Sequence, residues 1–196
     1  GFGKPATGPI HSAFEPSGIF TTEGVESFEV DDRIAKANAM LDEAGLPRDA
    51  DGIRFRMIHD LTPYGEEWRR FGEYVKQVLA ELGIAAELRY EDVATWLKRV
   101  YTDYDYEMSS NWLYGLPDPV LGVHRQYHSN QIRPGTVFVN GTKWSSPETD
   151  ALMDAASVEN DPKKRAELYH DFQRQIVDAS PIIFMHELEF TTVHSA

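Results

Sequence analysis

The chain contains no cysteine. This absence excludes disulfide bonds, thiolate catalysis and zinc sites built on cysteine ligands. A protein without thiols is suited to an oxidising compartment, where a stray thiol is reactive. The composition is therefore compatible with an extracytoplasmic protein.

Clusters of positive charge are also missing. The formal net charge is −13, and the nearest approach to a basic cluster is Lys163-Lys164-Arg165. Nucleic acids and anionic membranes bind basic surfaces, so the charge argues against both classes of partner. No apolar run approaches the roughly 20 residues that a membrane-spanning helix requires.

The sequence lacks the motifs of common catalytic sites, since it has no G-x-S-x-G and no glycine-rich phosphate loop. The opening GFGKPATG has no Gly-Lys-Ser/Thr ending, and it carries Pro5 where a backbone N–H donor would be needed. Neighbouring carboxylates such as Glu66-Glu67 and Asp103-Asp105 are expected by chance among 32 acidic residues. We therefore expect a protein that is not an enzyme and that needs no cofactor.

What is present is the composition of a globular protein, with 41% hydrophobic and 26% charged residues. A chain of 196 residues can form one large domain or two small ones. It begins without Met, and residues 191–196 resemble strand sequence. Both ends are therefore expected to be cuts within a longer protein that carries a secretion signal upstream.

Hydrophobic periodicity predicts a mixed α/β protein with helices and strands in alternation. Residues 1–24 are rich in Gly and Pro and are expected to be irregular. The predicted helices begin after Asp31 or Asp32, at Glu66, and after Asp92, Ser146 and Asp161, and the predicted strands cover 53–60, 84–90, 104–111 and 181–185. The predicted buried faces of four helices are Ile34, Ala37, Leu41 and Ala44; Phe71, Val75, Val78 and Leu82; Leu152 and Ala155; and Leu168, Phe172, Gln175 and Ile176.

The stretch from Asp103 to Ser129 is the centre of the functional prediction. Its first half alternates aromatic and polar residues, which predicts a strand ending near Trp112. Gly115, Pro117 and Pro119 then predict a loop that runs to about residue 145. Such loops at strand ends often carry ligand sites in α/β proteins. The candidate ligand-binding residues are Tyr64, Asn111, Trp112, Tyr114, Gly115, Asp118 and Arg125.

Several of these residues allow a second interpretation. Trp112 could stack on a ligand or plug the edge of the sheet. Asp118 could bind a ligand or accept backbone N–H groups that hold its turn. Arg125 could bind a ligand carboxylate or pair internally. His124 and His128 have the spacing of two metal ligands on one helix face, but the nearby Gly and Pro argue against a helix, so no metal site is expected.

The order of the segments resembles that of the family 5 solute-binding proteins, the extracytoplasmic receptors of peptide-type ABC importers. The matching stretches are GKPATGPI, AKANAMLDEAGLPRDADG, WRRFGEYVKQVLAELGIAAELRYEDVATWLKRV, the loop over residues 112–119 and SSPETDALMDAASVENDPKKRAELYHDFQRQIVDASPIIFMH. The resemblance implies a type II periplasmic-binding-protein lobe, with a mixed sheet flanked by helices. Residues 1–196 would form a single domain, most of the C-terminal lobe of a two-lobe protein that holds its ligand in between.

The chain departs from this family in two loops. Peptide-binding relatives commonly carry an acidic residue shortly before the Asp-Pro pair, where this chain has Leu-Tyr-Gly-Leu-Pro over residues 113–117. The loop over residues 61–65 also lacks the cation that can hold a peptide carboxylate. The family includes receptors for oligosaccharides, nickel complexes and opines, so the ligand class stays open.

The resemblance therefore implies a periplasmic, monomeric, non-enzymatic receptor that captures a peptide or related solute and delivers it to an ABC permease. Three alternatives remain: a hydrolase with its active site in the loops of His59 or His124, a carbohydrate, opine or metal-chelate binder of the same fold, and a module that only binds other proteins.

Overall fold

A computed structural model describes residues 3–189. Its secondary structure alternates short strands and helices, as the sequence predicts. The elements in chain order are β1 (Gly3–Pro5), α1 (Arg33–Glu43), β2 (Phe55–Asp60), α2 (Glu66–Glu81), β3 (Ile84–Arg89), α3 (Val93–Lys98), β4 (Met108–Ser109), α4 (Pro119–Gly122), α5 (His124–Tyr127), α6 (Pro147–Val158), α7 (Pro162–Ala179) and β5 (His186–Leu188). Among the described residues, no helix is both long and apolar enough to cross a bilayer.

The chain folds into two compact units. The first unit includes the described residues 3–27, 114–132 and 138–189, and the second includes 28–113 and 133–137. Each unit has its own sheet, the pair β1–β5 in the first and the order β3–β2–β4 in the second. That the whole chain forms one domain, most of the C-terminal lobe of a longer protein, stays a prediction.

The second unit is built on parallel pairing of β2 with β3, in which Phe55 lies opposite Ile84. Helix α2 connects the two strands, as expected for parallel neighbours that need a crossover. Its predicted apolar residues Phe71, Val75 and Val78 are all half-buried, which confirms the predicted face. Gly83 ends the helix with a φ of 77°, a left-handed conformation that glycine adopts without strain.

An ion-pair network stabilises the C-terminal ends of β2 and β3. The buried carboxylate of Asp60 accepts hydrogen bonds from Arg89 Nε and Nη2, at 2.5 and 2.7 Å. Arg99 approaches the same carboxylate at 3.7 Å and donates two hydrogen bonds to Glu91, at 2.9 and 2.7 Å. The hydrogen bond from Arg99 lowers the pKa of Glu91 despite the opposing effect of burial.

The predicted strand over 104–111 is wrong in its first half. Residues 99–103 form a π-helical turn, Tyr104 follows with a φ of 52°, and only Met108–Ser109 pair with β2. Two carboxylates of this stretch are engaged outside a strand ladder, one by a nearby arginine and the other by a residue of β2. Asp105 pairs with Arg99, and Glu107 accepts the backbone N–H of Ile58 at 2.5 Å. The alternation of aromatic and acidic residues therefore reflects these contacts and not a continuous strand.

The first unit has a core in which α6 and α7 pack with aromatic and aliphatic side chains from other segments. Its fully buried residues include Ile10, Val123, Tyr127, Met153, Tyr169, Phe172 and Ile176. Phe172 and Ile176 confirm part of the predicted face of α7, but Gln173 is buried and Gln175 is exposed. In α6, Met153 and Ala156 are buried, whereas Leu152 is half-buried and Ala155 exposed, so the buried face is rotated by one residue from the prediction.

Both ends of the described chain also differ from expectation. Residues 3–5, predicted to be irregular, form β1, which pairs antiparallel with β5. The apolar run over 181–185, predicted to be a buried strand, is not a strand, and Ile183 is 73% exposed. Strand β5 begins one residue later, at His186. The buried carboxylate of Glu187 fixes this segment by accepting hydrogen bonds from Ser12 N and Oγ, at 2.7 and 2.5 Å. The predicted strand at residues 191–196 lies outside the described residues.

Candidate functional site

The seven candidate ligand-binding residues are divided between the two units. Tyr64, Asn111 and Trp112 belong to the second unit. Tyr114, Gly115, Asp118 and Arg125 belong to the first.

In the second unit, the candidate residues make local contacts. The ring of Tyr64 packs edge-on against Trp96, with ring centroids 5.9 Å apart. Asn111 donates from Nδ2 to the Tyr101 hydroxyl at 2.8 Å, and its Oδ1 accepts the backbone N–H of Trp112 at the same distance. The amide of Asn111 therefore stabilises the chain that leaves β4. Trp112 is half-buried.

In the first unit, the candidate residues lie on a loop that crosses its own helix. A Cβ placed on Gly122 would lie 1.7 Å from the carbonyl oxygen of Gly115. Only glycine fits at position 122, because any side chain would displace the backbone of the loop. Leu116, one residue after the crossing, has a φ of 55°, which is unusual and strained for a branched aliphatic residue. This close packing gives the loop a defined shape.

Asp118 connects this loop to α7. Its Oδ1 accepts the N–H of Val120 at 2.8 Å and caps α4, which begins at Pro119. Both carboxylate oxygens accept from Arg165 Nη2, at 2.8 and 3.0 Å. Desolvation raises the pKa of Asp118, but the hydrogen bonds from Arg165 and Val120 outweigh it and lower the pKa overall. The structural role considered for this residue, accepting backbone N–H groups that hold the turn, is thus observed.

Arg125 stabilises the same loop from α5. Its Nε donates to the Gly122 carbonyl at 3.3 Å, and its Nη2 donates to the Tyr114 carbonyl at 3.2 Å. The side chain is half-buried, and within residues 3–189 no carboxylate lies within ion-pair distance of its guanidinium. The charge of Arg125 is therefore not neutralised by an acidic side chain in the described part of the chain.

The loop exposes three apolar side chains. Tyr114 is 58% exposed, Leu116 44% and Leu121 60%. Leu121 was not among the candidate residues, and its position on a four-residue helix was not predicted. Their exposure makes these three side chains available for contact with another molecule.

The histidines of this region contact side chains of α6 and α7. His124 lies in α5 and His128 directly follows it, so the prediction that Gly and Pro prevent a helix here is wrong. The preceding helix, α4, begins here because Asp118 supplies its cap and Pro119 fits its first turn. His124 Nε2 lies 3.0 Å from the Tyr169 hydroxyl, and burial lowers the pKa of His124 to about 4. His128 Nε2 lies 3.1 Å from Asp154.

His59, the other histidine considered for catalysis, lies in the second unit. Its Nε2 is 3.0 Å from Ser110 Oγ, the geometry of a hydroxyl and a neighbouring base. Its Nδ1 has no hydrogen-bond partner among the described residues, and burial lowers its pKa to about 4. The usual third member of such an arrangement, a carboxylate that orients the imidazole, is missing here because Asp60 pairs with Arg89.

An open groove of about 390 Å³ lies beside α2 in the second unit. It is lined by Glu66, Arg69, Arg70, Glu73, Tyr74, Gln77 and Tyr90. The Arg69 guanidinium stacks over the Tyr90 ring, and the Tyr90 hydroxyl donates to Glu73 at 3.3 Å. None of the candidate residues lines this groove, and its charged groups interact with one another. Elsewhere, no cluster of three or more metal-ligating side chains occurs within residues 3–189.

Two residues that the sequence analysis did not select hold the loop of the first unit together, Gly122 and Arg165. A Gly at the end of a short Asp-Pro helix could have indicated a close backbone approach. The pairing of Arg165 with Asp118 joins residues 47 positions apart, and no local pattern in the sequence indicates it.

Comparison with known proteins gives consistent matches. The chain is 26% identical over 159 residues to a dipeptide-binding protein of Escherichia coli, which covers 81% of this chain and 29% of that protein. The structure is similar to that of HbpA2 from Haemophilus parasuis, with a TM-score of 0.81, 23% identity and coverage of 96% of this chain and 35% of the other. It is also similar to NikZ from Campylobacter jejuni in complex with Ni(L-His), with a TM-score of 0.80, 14% identity and coverage of 95% and 37%.

These similarities confirm the predicted fold, an α/β fold of the type II periplasmic-binding-protein class. The chain spans about 29% of the length of the E. coli relative. Residues 1–134 match the family described as bacterial extracellular solute-binding proteins, family 5 Middle. The chain therefore belongs to the family 5 bacterial extracellular solute-binding proteins.

Proposed function

We propose that this chain is part of the solute-binding component of an ABC-type importer, which captures a peptide or a related small solute outside the cytoplasm. The match of residues 1–134 to the family carries this proposal. The similar E. coli protein is named for dipeptide binding, and the similar C. jejuni protein was solved with a nickel–histidine complex. A peptide or a related small solute is thus the expected ligand class.

The proposal includes the partners and the location that such a receptor requires. The intact protein would be periplasmic and monomeric, would close two lobes around its ligand, and would deliver the ligand to a membrane permease. Hinge closure of this kind is a known mechanism of periplasmic binding proteins. Residues 1–196 would supply most of the C-terminal lobe.

Three observations weigh against the alternative of a hydrolase. His59 and His124 both have a pKa near 4, far below the range in which a histidine is an efficient general base at neutral pH. His59 lacks an orienting carboxylate, because Asp60 is paired with Arg89. His124 is bonded to a buried tyrosine, Tyr169, whose own pKa burial raises to about 12. Neither histidine has the environment of a catalytic base.

The direct test is ligand identification with the intact protein. A thermal-shift screen against dipeptides, oligopeptides, oligosaccharides, opines and metal chelates should give a saturable shift with at least one class. Deletion of the gene should abolish uptake of the same solute by cells. A protein that binds no solute and whose deletion leaves uptake unchanged would contradict the proposal, and hydrolysis of a bound solute would favour the enzyme.

A second test compares the isolated chain with the intact protein by calorimetry. If the ligand is enclosed by two lobes, the isolated chain should bind it far more weakly, since half a cleft cannot bury most of its surface. Equal affinities would mean that the binding site lies wholly within residues 1–196.

A further inference from the structure

We propose that the loop at residues 114–121, together with Arg125, selects a ligand that carries a carboxylate beside an apolar group and no free amine at this position. This inference rests on the proposed function and specifies its ligand class. It uses contacts within the first unit alone. Three observations support it. Asp118 already accepts hydrogen bonds, Arg125 has no carboxylate partner among the described residues, and three apolar side chains of the loop are exposed.

The first property concerns the amine. Asp118 is the sole carboxylate between residues 113 and 125, and it already accepts hydrogen bonds from Val120 and Arg165. An ammonium group buried against this loop would therefore have to break the Asp118–Arg165 pair or remain without a counter-charge. Either event is unfavourable, because a buried charge without a partner costs several kcal/mol in order of magnitude.

The second property concerns the carboxylate. Arg125 uses one N–H of Nε and one of Nη2 for the carbonyls of Gly122 and Tyr114. A guanidinium has five N–H donors, so three remain for another acceptor. The contacts that Arg125 already makes orient its planar group, and an oriented guanidinium binds a carboxylate with two parallel hydrogen bonds. Arg125 is half-buried and has no carboxylate partner among residues 3–189, so the carboxylate of a ligand could bind it without displacing an internal ion pair.

The third property concerns the apolar group. Tyr114, Leu116 and Leu121 expose 58, 44 and 60% of their surface on the loop that Arg125 holds. Leu116 keeps this position with a left-handed backbone, and backbone strain of this kind concentrates at ligand-binding segments. The Gly115–Gly122 contact fixes the backbone of the loop, so binding of a ligand does not require the backbone to be ordered first.

A ligand with this chemistry is an N-blocked peptide with a free C-terminus, or another small carboxylate with an aliphatic or aromatic portion. The inference can be tested with four related probes: Leu-Leu, N-acetyl-Leu-Leu, and the C-terminal amide of each. These probes vary the amine and the carboxylate independently while the apolar side chains stay the same.

For the intact protein, calorimetry should show that acetylation of the amine does not weaken binding and that amidation of the carboxylate weakens it by at least about tenfold. This magnitude corresponds to the loss of hydrogen bonds to a charged group. In R125Q, the acid and the amide should bind with similar affinity. R125K should retain part of the preference for the acid, because it keeps the charge but loses the planar fork.

Two controls distinguish a loss of carboxylate recognition from a deformation of the loop. If R125Q only deformed the loop, the affinities for acid and amide would fall together and their ratio would persist. R56Q removes an exposed arginine of β2 in the other unit and should leave all four affinities unchanged.

Three results would overturn the inference: tighter binding of Leu-Leu than of its N-acetyl form, an acid preference that survives in R125Q, and no binding of any of the four probes. None of these results bears on the proposed function, which the solute screen and the uptake measurement test separately.

Discussion

The carbonyl oxygen of Gly115 lies directly against the backbone of Gly122, with room for no side chain between them. A Cβ on Gly122 would be 1.7 Å from this oxygen, whereas a Cβ on Gly115 would meet nothing closer than 3.8 Å, a ring atom of Phe14. The two glycines, seven residues apart, therefore differ in whether a side chain can be accommodated at their positions. Position 115 has room for a methyl group, and position 122 does not.

This difference leads to a prediction for two alanine substitutions. G122A should destabilise the first unit by about 3 kcal/mol or more, because the added methyl group must displace backbone and not a flexible side chain. G115A should change stability by less than about 1 kcal/mol, since its methyl group makes an ordinary contact. Urea unfolding of both variants measures the two values. Similar values for the two variants would show that the loop does not cross the helix in this way.

The caps of α4 and α7 provide a second comparison, since each is an aspartate followed by proline. D161A should cost about 1 kcal/mol, the usual loss of an N-cap. D118A should cost about 2 to 3 kcal/mol, because it also leaves the partly buried Arg165 without its acceptor. Chemical unfolding of the two variants checks the order. If they lost equal stability, the Asp118–Arg165 pair would contribute nothing.

The buried histidines predict a loss of stability in acid. His59 and His124 have pKa values near 4 in the folded chain, compared with the usual 6.5. Between these values the unfolded chain binds protons that the folded chain does not, so stability is full above pH 6.5 and decreases as the pH falls towards 4. At pH 5 the loss should be about 2 kcal/mol for each histidine.

This prediction is checked by urea unfolding between pH 8 and pH 5. The H124Q variant should lose about half of the pH dependence over this range. H186Q, which removes an exposed histidine, should retain all of it. A pH dependence that persisted unchanged in a variant lacking both buried imidazoles would assign it to other groups.

The Asp60–Arg89 pair predicts non-additive substitutions. D60L should cost about 3 to 5 kcal/mol, because it leaves the Arg89 guanidinium without its carboxylate in a partly buried position. Adding R89L should recover part of this loss, since two apolar residues leave no uncompensated charge. A double-mutant cycle measured by chemical unfolding checks this, and simple additivity of the two losses would contradict a direct interaction.

Local patterns in the sequence were sufficient for most of the helices and for β2 and β3. Asp92, Ser146 and Asp161 cap α3, α6 and α7 as predicted, because capping depends on a side chain and the two or three residues that follow it. Asp32 precedes α1 as predicted, but its side chain makes no capping bond. The alternation and periodicity of residues 53–89 were equally informative for α2 and β3, each of which has one more buried face, whereas β2 ends with His59 and Asp60 both buried.

The same patterns failed where a distant partner decides the conformation. The run over 181–185 is apolar enough for a buried strand. The observed strand begins one residue later, where the carboxylate of Glu187 is hydrogen-bonded to Ser12. Which residues of α6 are buried depends on the side of the helix that packs against α7. Because α6 has several apolar residues, its sequence is compatible with more than one buried face. Periodicity within a helix carries no information about its neighbour.

Composition and periodicity by themselves determined that this protein is acidic, without cysteine and α/β, and the resemblance of its segments in order indicated the family 5 solute-binding type. They also predicted a loop after Trp112, although residues 119–121 of that loop belong to α4. Only the tertiary structure decided what the side chains of that loop do. Asp118 is engaged by Arg165, 47 residues away, and Arg125 meets backbone carbonyls instead of a carboxylate. Such pairings depend on distances created by folding, which the spacing of residues along a chain does not encode.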